Sequence, residues 1–153
     1  HEMLRYDKEL GDFVLHVEWR FAKLEGEPAY NSGIYVRTGA DAASWIQAQT
    51  GPAGGYLFGS VTVGGKMGRV NLREEMTENR VRPAGEWNTY EILAVGDRVQ
   101  LAINGVRTVD LVDVPGRKRG IVAPQVHSGG PTEVRFRSFR LELDPKPVLS
   151  TVR

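Results

Sequence analysis

Ten residues near the start of the chain, 12–21, carry apolar side chains with a period of two. The apolar side chains occupy every second position: Phe13, Leu15, Val17, Trp19 and Phe21. A period of two matches a β-strand with one buried face, whereas the 3.6-residue period of a helix would scatter these side chains around its surface. The segment therefore predicts a long strand whose other face carries His16, Glu18 and Arg20.

Shorter segments with strand-like patterning follow along the rest of the chain. We predict strands at 33–38, 44–49, 56–63, 89–95, 98–103, 106–112, 120–127 and 132–143. Asn104-Gly105 separates two of these strands, and this dipeptide favours a two-residue hairpin turn because both residues tolerate positive φ. The charged segment 71–82 fits one short helix or a charged loop equally well.

Two of the predicted strands carry an irregularity. In the last strand Val134 and Phe136 share one parity, whereas the apolar positions from Phe139 onward occupy the other. Such a slip in phase predicts a β-bulge near residues 137–138. Pro124 lies inside another predicted strand, and because proline cannot donate a backbone hydrogen bond it is expected at an edge or a bulge.

The length and the order of the elements predict the fold class. A chain of 153 residues corresponds to one domain. Eight or so short strands without alternating helices, separated by turns rich in the 18 glycines and 8 prolines, predict an all-β antiparallel sandwich or jelly roll. We expect the domain to span residues 1–144, and the proline-flanked segment 145–153 to form a tail.

Composition excludes several classes of function. The 20 basic and 19 acidic residues give a net charge of +1, which provides no basic field for nucleic acid or an anionic membrane. No apolar stretch is long enough for a membrane-spanning helix. The chain has no cysteine, and its three histidines have no zinc-binding spacing, so neither a metal nor another cofactor is expected.

The predicted strands place polar and aromatic side chains on a shared outward face. These side chains are Tyr35 and Arg37 on one strand, Trp45, Gln47 and Gln49 on the next, and Gln125 and His127 near the end of the penultimate one. Sugars suit such a surface, since their C–H faces stack on aromatic rings and their hydroxyls pair with planar amides. The same pattern also arises from ordinary cross-strand pairs without a ligand.

The usual hydrolase signatures are absent from the sequence. An ordinary glycosidase needs two carboxyl groups about 5 to 10 Å apart, and no strand carries acids at alternating outward positions. A serine nucleophile in a Gly-x-Ser-x-Gly turn is also missing. Residues alone therefore leave a sugar-binding surface or an inert sandwich as the alternatives.

Several segments in order resemble one known family. They read DFVLHVEWRF, NSGIYVRT, GEWN, INGV, GIVAPQVHSGG and VRFRSFRLEL, and they extend over residues 12–143. Together they resemble the 3-keto-disaccharide hydrolase family, long catalogued as a domain of unknown function. The resemblance implies a concanavalin A-like jelly roll related to laminarinase-type enzymes, export to the periplasm or beyond, and a glycoside or oligosaccharide ligand.

The resemblance also implies a mechanism that does not need paired carboxylates. A ketone at C3 of the sugar acidifies the C2 hydrogen, so one base can remove it and the C1 oxygen then leaves by elimination. Carried over to this chain, His127 is the expected base and Arg37 the expected stabiliser of the enolate. Asn31 and Gln47 are expected to orient hydroxyls, and Tyr35, Trp45, Gln49 and Gln125 to complete the substrate site.

Two departures from the family pattern support an alternative function. Where the family shows a Tyr-Glu-x-Gln run followed by Asp, this chain has Trp45 and Thr50 in place of the two acids. A non-catalytic carbohydrate-binding module is therefore the alternative to an enzyme, and a purely structural sandwich is a third. The family domain also begins earlier, so an unpaired sheet edge is expected, and a homo-oligomer formed through that edge is compatible with the sequence.

Overall fold

A computed structural model describes residues 2–153, and within them the chain forms strands and loops but no helix, hence none that could cross a membrane. The alternative of a helix over 71–82 is thereby decided in favour of a loop. The strands, β1 to β11 in chain order, are Glu2–Met3, Phe13–Phe21, Ser32–Thr38, Trp45–Thr50, Leu57–Val63, Lys66–Asn71, Asn88–Val95, Arg98–Ile103, Val106–Leu111, Ile121–Val126 and Val134–Leu143.

The strands form two antiparallel sheets that pack face to face. One sheet has six strands in the order β1-β10-β3-β4-β5-β6, and the other has five in the order β11-β2-β7-β8-β9. The apolar face of β2 points between them, where Trp19 packs edge-on against Tyr90 at a ring distance of 5.4 Å. The all-β sandwich predicted from the sequence is confirmed. The outer faces of its two sheets are not used by the core and can contact ligands.

The predicted hairpin turn and the predicted bulge of the last strand occur where the sequence placed them, whereas Pro124 in β10, which has strands on both sides, pairs with Ile34. Asn104 and Gly105 have φ values of 49° and 85°, as a type I′ hairpin requires. In β11 the pairing with β2 shifts between Arg137 and Arg140, and Ser138 adopts a φ of 56°. The extra residue reverses the parity of the strand, which explains why its apolar pattern changes phase.

The segment after β11 lies across the outer face of the five-stranded sheet. Its anchor is Glu91 of β7, which is only 2% exposed although it points away from the core. The carboxylate of Glu91 accepts hydrogen bonds from the backbone N–H and the hydroxyl of both Ser150 and Thr151. Residues 145–153 are thus held to the sheet through a buried charge.

Candidate functional site

A pocket of about 290 Å³ opens on the outer face of the six-stranded sheet, across β10, β3, β4 and β5. Seven of the predicted site residues line it: Asn31, Tyr35, Trp45, Gln47, Gln49, Gln125 and His127. Two aromatic residues that were not predicted, Tyr56 and Phe58, complete the lining. The structure therefore brings the predicted site residues together around one pocket, apart from Arg37.

Strand register explains why these side chains meet. Gln47 of β4 lies directly opposite Tyr35 of β3 on one side and Phe58 of β5 on the other. Because the core face of the same strands takes Ile34, Ile46 and other apolar residues, the alternate positions must point outward. The hydrophobic pattern that builds the core thus also aligns the polar row across three strands.

Gly33 provides the floor of the pocket. A Cβ atom at this position would approach Nε2, Cδ and Cγ of Gln47 to less than 3.0 Å, which real Cβ atoms do not do. The missing side chain at Gly33 is the space that Gln47 fills as it leans across β3. Gln47 is consequently only 1% exposed, at the bottom of the pocket.

A chain of amides connects the bottom of the pocket to its rim. Gln47 Nε2 donates to Gln49 Oε1 over 2.7 Å, and Gln49 Nε2 donates to Asn31 Oδ1 over 2.8 Å. Gln49 Nε2 also donates to the backbone oxygen of Thr50 at 2.9 Å. Gln47 Oε1 is buried and has no hydrogen-bond partner within the described part of the chain.

Gln125, on β10 at the other side of β3, provides a second buried amide oxygen of the same kind. Gln125 is 4% exposed, and its Nε2 donates to the hydroxyl of Tyr35 over 2.7 Å. Its Oε1 is buried, and none of the described residues donates a hydrogen bond to it. Burial raises the pKa of the Tyr35 phenol, so the phenol remains protonated around neutral pH and retains a donor.

Aromatic rings form a row within the pocket lining. The rings of Tyr35 and Trp45 meet edge to face at 5.4 Å, those of Trp45 and Phe58 at 5.3 Å, and Tyr56 continues the row. The guanidinium of Arg73 lies 5.9 Å above the Tyr56 ring. Edge-to-face packing holds each ring in place, so the row is preformed.

His127 lies half-buried at the edge of the pocket, just after β10. Its Nδ1 contacts the backbone oxygen of Ser128. A carbonyl oxygen only accepts hydrogen bonds, so Nδ1 is the donor in this contact.

Arg37 does not line the pocket, and the prediction that it faces outward beside Tyr35 was wrong. The pairing of β3 with β10 is irregular between Ile121 and Ala123, and Arg37 adopts a left-handed φ of 51° at that bulge. Its side chain is turned to the other sheet, where Nη1 donates to the Gly96 oxygen over 2.6 Å and Nη2 lies 3.6 Å from Asp12. It cannot contact a ligand in the pocket from there.

The pocket contains no acidic side chain. Trp45 contributes a ring where the family pattern has an acid, and Thr50 is buried and is not part of the lining. Within residues 2–153 no three His, Cys, Asp or Glu side chains are grouped closely enough to hold a metal ion. The chemistry of the pocket is thus that of amides, phenols, one indole and one imidazole.

Comparisons with known proteins agree with this architecture. Residues 1–142 match the model of a family described as 3-keto-alpha-glucoside-1,2-lyase-like domain. No curated protein matches the chain.

Solved structures share the fold at low sequence identity. A carbohydrate binding module, CBM66 from Bacillus subtilis, has a TM-score of 0.67 at 13% identity over 92% of this chain and 80% of its own. A Parabacteroides distasonis protein provisionally named a glycosyl hydrolase has a TM-score of 0.67 at 16% identity, over 93% and 83%. Sheep galectin-11 has a TM-score of 0.55 at 10% identity, over 92% and 95%. At these identities the similarity concerns the fold alone.

Proposed function

The chain belongs to the family of 3-keto-alpha-glucoside-1,2-lyase-like domains, and from that membership and the geometry of the pocket we propose that it binds a neutral glycoside on the six-stranded sheet. Membership makes a carbohydrate-related role the starting point. The question is then which carbohydrate chemistry the side chains of this particular pocket support.

The buried amide oxygens of Gln47 and Gln125 carry the proposal. Neither oxygen has a hydrogen-bond partner among the residues that the structure describes. A buried acceptor without a donor costs about 1 to 3 kcal/mol, so a ligand that supplies hydroxyl donors recovers this cost on binding. Adjacent hydroxyls on a sugar ring are donors of the required kind, at the depth where water is largely excluded.

The remainder of the lining favours a sugar without charge. Trp45, Phe58 and Tyr56 offer ring faces and edges to the C–H groups of a pyranose. No lysine, arginine, aspartate or glutamate is among the lining residues, and Arg73 lies only over the Tyr56 ring, so a carboxylate or phosphate held against Gln47 would lack a counter-ion in the lining. The carbohydrate binding module and the galectin that share the fold support the same choice of ligand class.

Cleavage of a 3-keto-glycoside is the second candidate, and His127 is the observation that favours it. It contributes the imidazole of the pocket lining, and an imidazole is the side chain most often used as a general base. Because Arg37 is turned away, the enolate oxygen would depend on neutral donors, for which the Tyr35 hydroxyl and the Asn31 amide nitrogen are the available groups.

Substituting Trp45 by alanine is expected to weaken glycoside binding about tenfold, because an aromatic contact contributes roughly 0.5 to 1.5 kcal/mol beyond its buried area. The measurement is a calorimetric titration with methyl α-D-glucopyranoside and with a neutral disaccharide. Intrinsic fluorescence gives a second readout, since Trp45 is in the pocket whereas Trp19 is in the core and Trp87 stacks with Arg20 and Arg137.

Trp87→Ala is the matched control, because it removes the same side chain outside the pocket and should leave affinity unchanged. Absence of saccharide binding by the wild-type protein, or equal losses in both variants, would contradict the proposed site.

A further inference from the structure

The backbone oxygen of Thr50 determines whether the free end of the Gln47 amide is a donor or an acceptor. Planar amides have an oxygen and a nitrogen of similar size, so their orientation must be deduced from their partners. One hydrogen-bond partner of the Gln49 amide is the backbone oxygen of Thr50, which can only accept a hydrogen bond. The terminal atom of Gln49 at that contact must therefore be Nε2, and its Oε1 points to Gln47.

The orientation of Gln47 is then determined in turn. Since Gln49 presents its oxygen, Gln47 must present Nε2, and this contact measures 2.7 Å. Oε1 of Gln47, a residue of the pocket lining, is left buried and without a hydrogen-bond partner among the described residues. Rotating the Gln47 amide by 180° would place two oxygens against each other, so this end of the pocket is an acceptor and cannot switch to a donor.

Resting on the proposed binding of a glycoside, the geometry points to Gln47 as a residue that selects a hydroxyl and rejects a carbonyl at one position of the sugar. A hydroxyl donates to Oε1 and satisfies it. A ketone oxygen has only lone pairs, so it would oppose another acceptor in a buried site, and a deoxy position would leave Oε1 unpaired. If the ligand is a 3-keto-glycoside, its ketone therefore lies away from Gln47.

The selection by Gln47 also depends on Gly33, the residue against which its side chain packs. Gln47 reaches its position only because residue 33 lacks a Cβ atom, and its φ is not in the left-handed region, so alanine is tolerated by the backbone there. Gly33→Ala is expected to displace the Gln47 side chain and to remove the selection without removing any ligand-contacting side chain from the sequence. Gly33 is a positioning residue in this sense.

The experiment measures affinities for methyl α-D-glucopyranoside, its four monodeoxy derivatives and its 3-keto derivative, by calorimetry. For the wild-type protein we expect one monodeoxy sugar to bind about ten- to a hundredfold more weakly than the parent. In Gln47→Leu and Gly33→Ala the parent should weaken, and the difference between the parent and that one derivative should disappear. If the position concerned is C3, the 3-keto sugar should lose affinity in parallel.

Gln100→Leu is the control for the loss of a buried glutamine, since Gln100 is 4% exposed on the five-stranded sheet. It should retain the wild-type pattern across the whole series. Failure of the wild-type protein to bind the parent sugar would overturn the proposed binding itself. Binding of the parent with equal affinities for all monodeoxy forms, or a difference that persists in Gln47→Leu, would overturn only the selection by Gln47.

Discussion

Deleting residues 145–153 is expected to lower the free energy of unfolding by about 3 kcal/mol, because the segment supplies the hydrogen bonds of a buried carboxylate. Glu91 receives four of them, two from Ser150 and two from Thr151. Each hydrogen bond to a charged group contributes roughly 1.5 to 3 kcal/mol, and water that reaches Glu91 after the deletion offsets part of the loss. Urea unfolding of both proteins measures the difference.

A double substitution, Ser150→Ala with Thr151→Val, tests the same contact without shortening the chain. It removes two hydroxyl donors and keeps both backbone donors, so we expect about half to two thirds of the effect of the deletion. Thr62→Val removes a hydroxyl from an exposed position on the other sheet, and its effect should stay within about 0.5 kcal/mol.

The pH dependence of the difference identifies Glu91 as its source. Burial alone would raise the pKa of Glu91, but the hydrogen bonds from Thr151 and Ser150 outweigh burial and hold the pKa below its ordinary value. Folding then favours the ionised form, so its contribution is complete above about pH 4.3 and is lost as pH falls through the lowered value. His16, opposite Glu91, has a lowered pKa caused first by burial. Folding therefore favours its neutral form, and its contribution to stability is lost as pH falls below about 6.5, at a higher pH than the change at Glu91.

We therefore expect the intact and shortened proteins to converge in stability in acid. A truncated protein as stable as the intact one at pH 7, or a difference that does not change down to pH 2, would show that the segment is not held through Glu91.

The sequence predicts those elements in which one buried face or a turn leaves a recognisable pattern of side chains. The alternation of β2, the Asn104-Gly105 hairpin and the bulge at Ser138 each leave a signal in neighbouring residues. Strand β6, Lys66–Asn71, was missed because it is almost fully exposed along an edge, and such a strand has no hydrophobic alternation to detect. Tyr56 and Phe58 could have been predicted as pocket residues from the sequence. They flank Leu57, which is buried, so alternation places both of them on the outward face.

The orientation of Arg37 depends on a distant part of the chain. A Cβ atom at Gly120 would approach the backbone of Arg37 and Thr38 to less than 3.0 Å, so the two segments meet more closely than ordinary residues allow. The bulge that accompanies this contact gives Arg37 a left-handed backbone, which reverses its parity relative to Tyr35. Local alternation contains no information about that contact, and the error in the predicted site has this origin.

If the domain cleaves 3-keto-glycosides, replacing His127 by alanine is expected to lower the rate of aglycone release by a factor of about 10² to 10⁴, the usual contribution of a general base. In that reaction the imidazole takes the C2 proton, the C–H electron pair forms a C2–C3 double bond, and the carbonyl pair moves to the C3 oxygen to give an enolate. The enolate then restores the C3 ketone as a C1–C2 double bond forms and the bond from C1 to the aglycone oxygen breaks. The aglycone oxygen takes up a proton, and water then adds across C1 and C2. The assay follows 4-nitrophenol release from its 3-keto-α-glucoside.

Deuterium at C2 makes the assay specific for this mechanism, because the rate should fall for the deuterated substrate only if removal of that proton limits turnover. His16→Ala is the matched control, since it removes a histidine from the outer face of the other sheet. Turnover that survives in His127→Ala would assign the base elsewhere. Retained glycoside binding without any turnover by the wild-type protein would mean that Trp45 and Thr50, in place of two acids, have left a binding module, in which His127 contributes only to affinity.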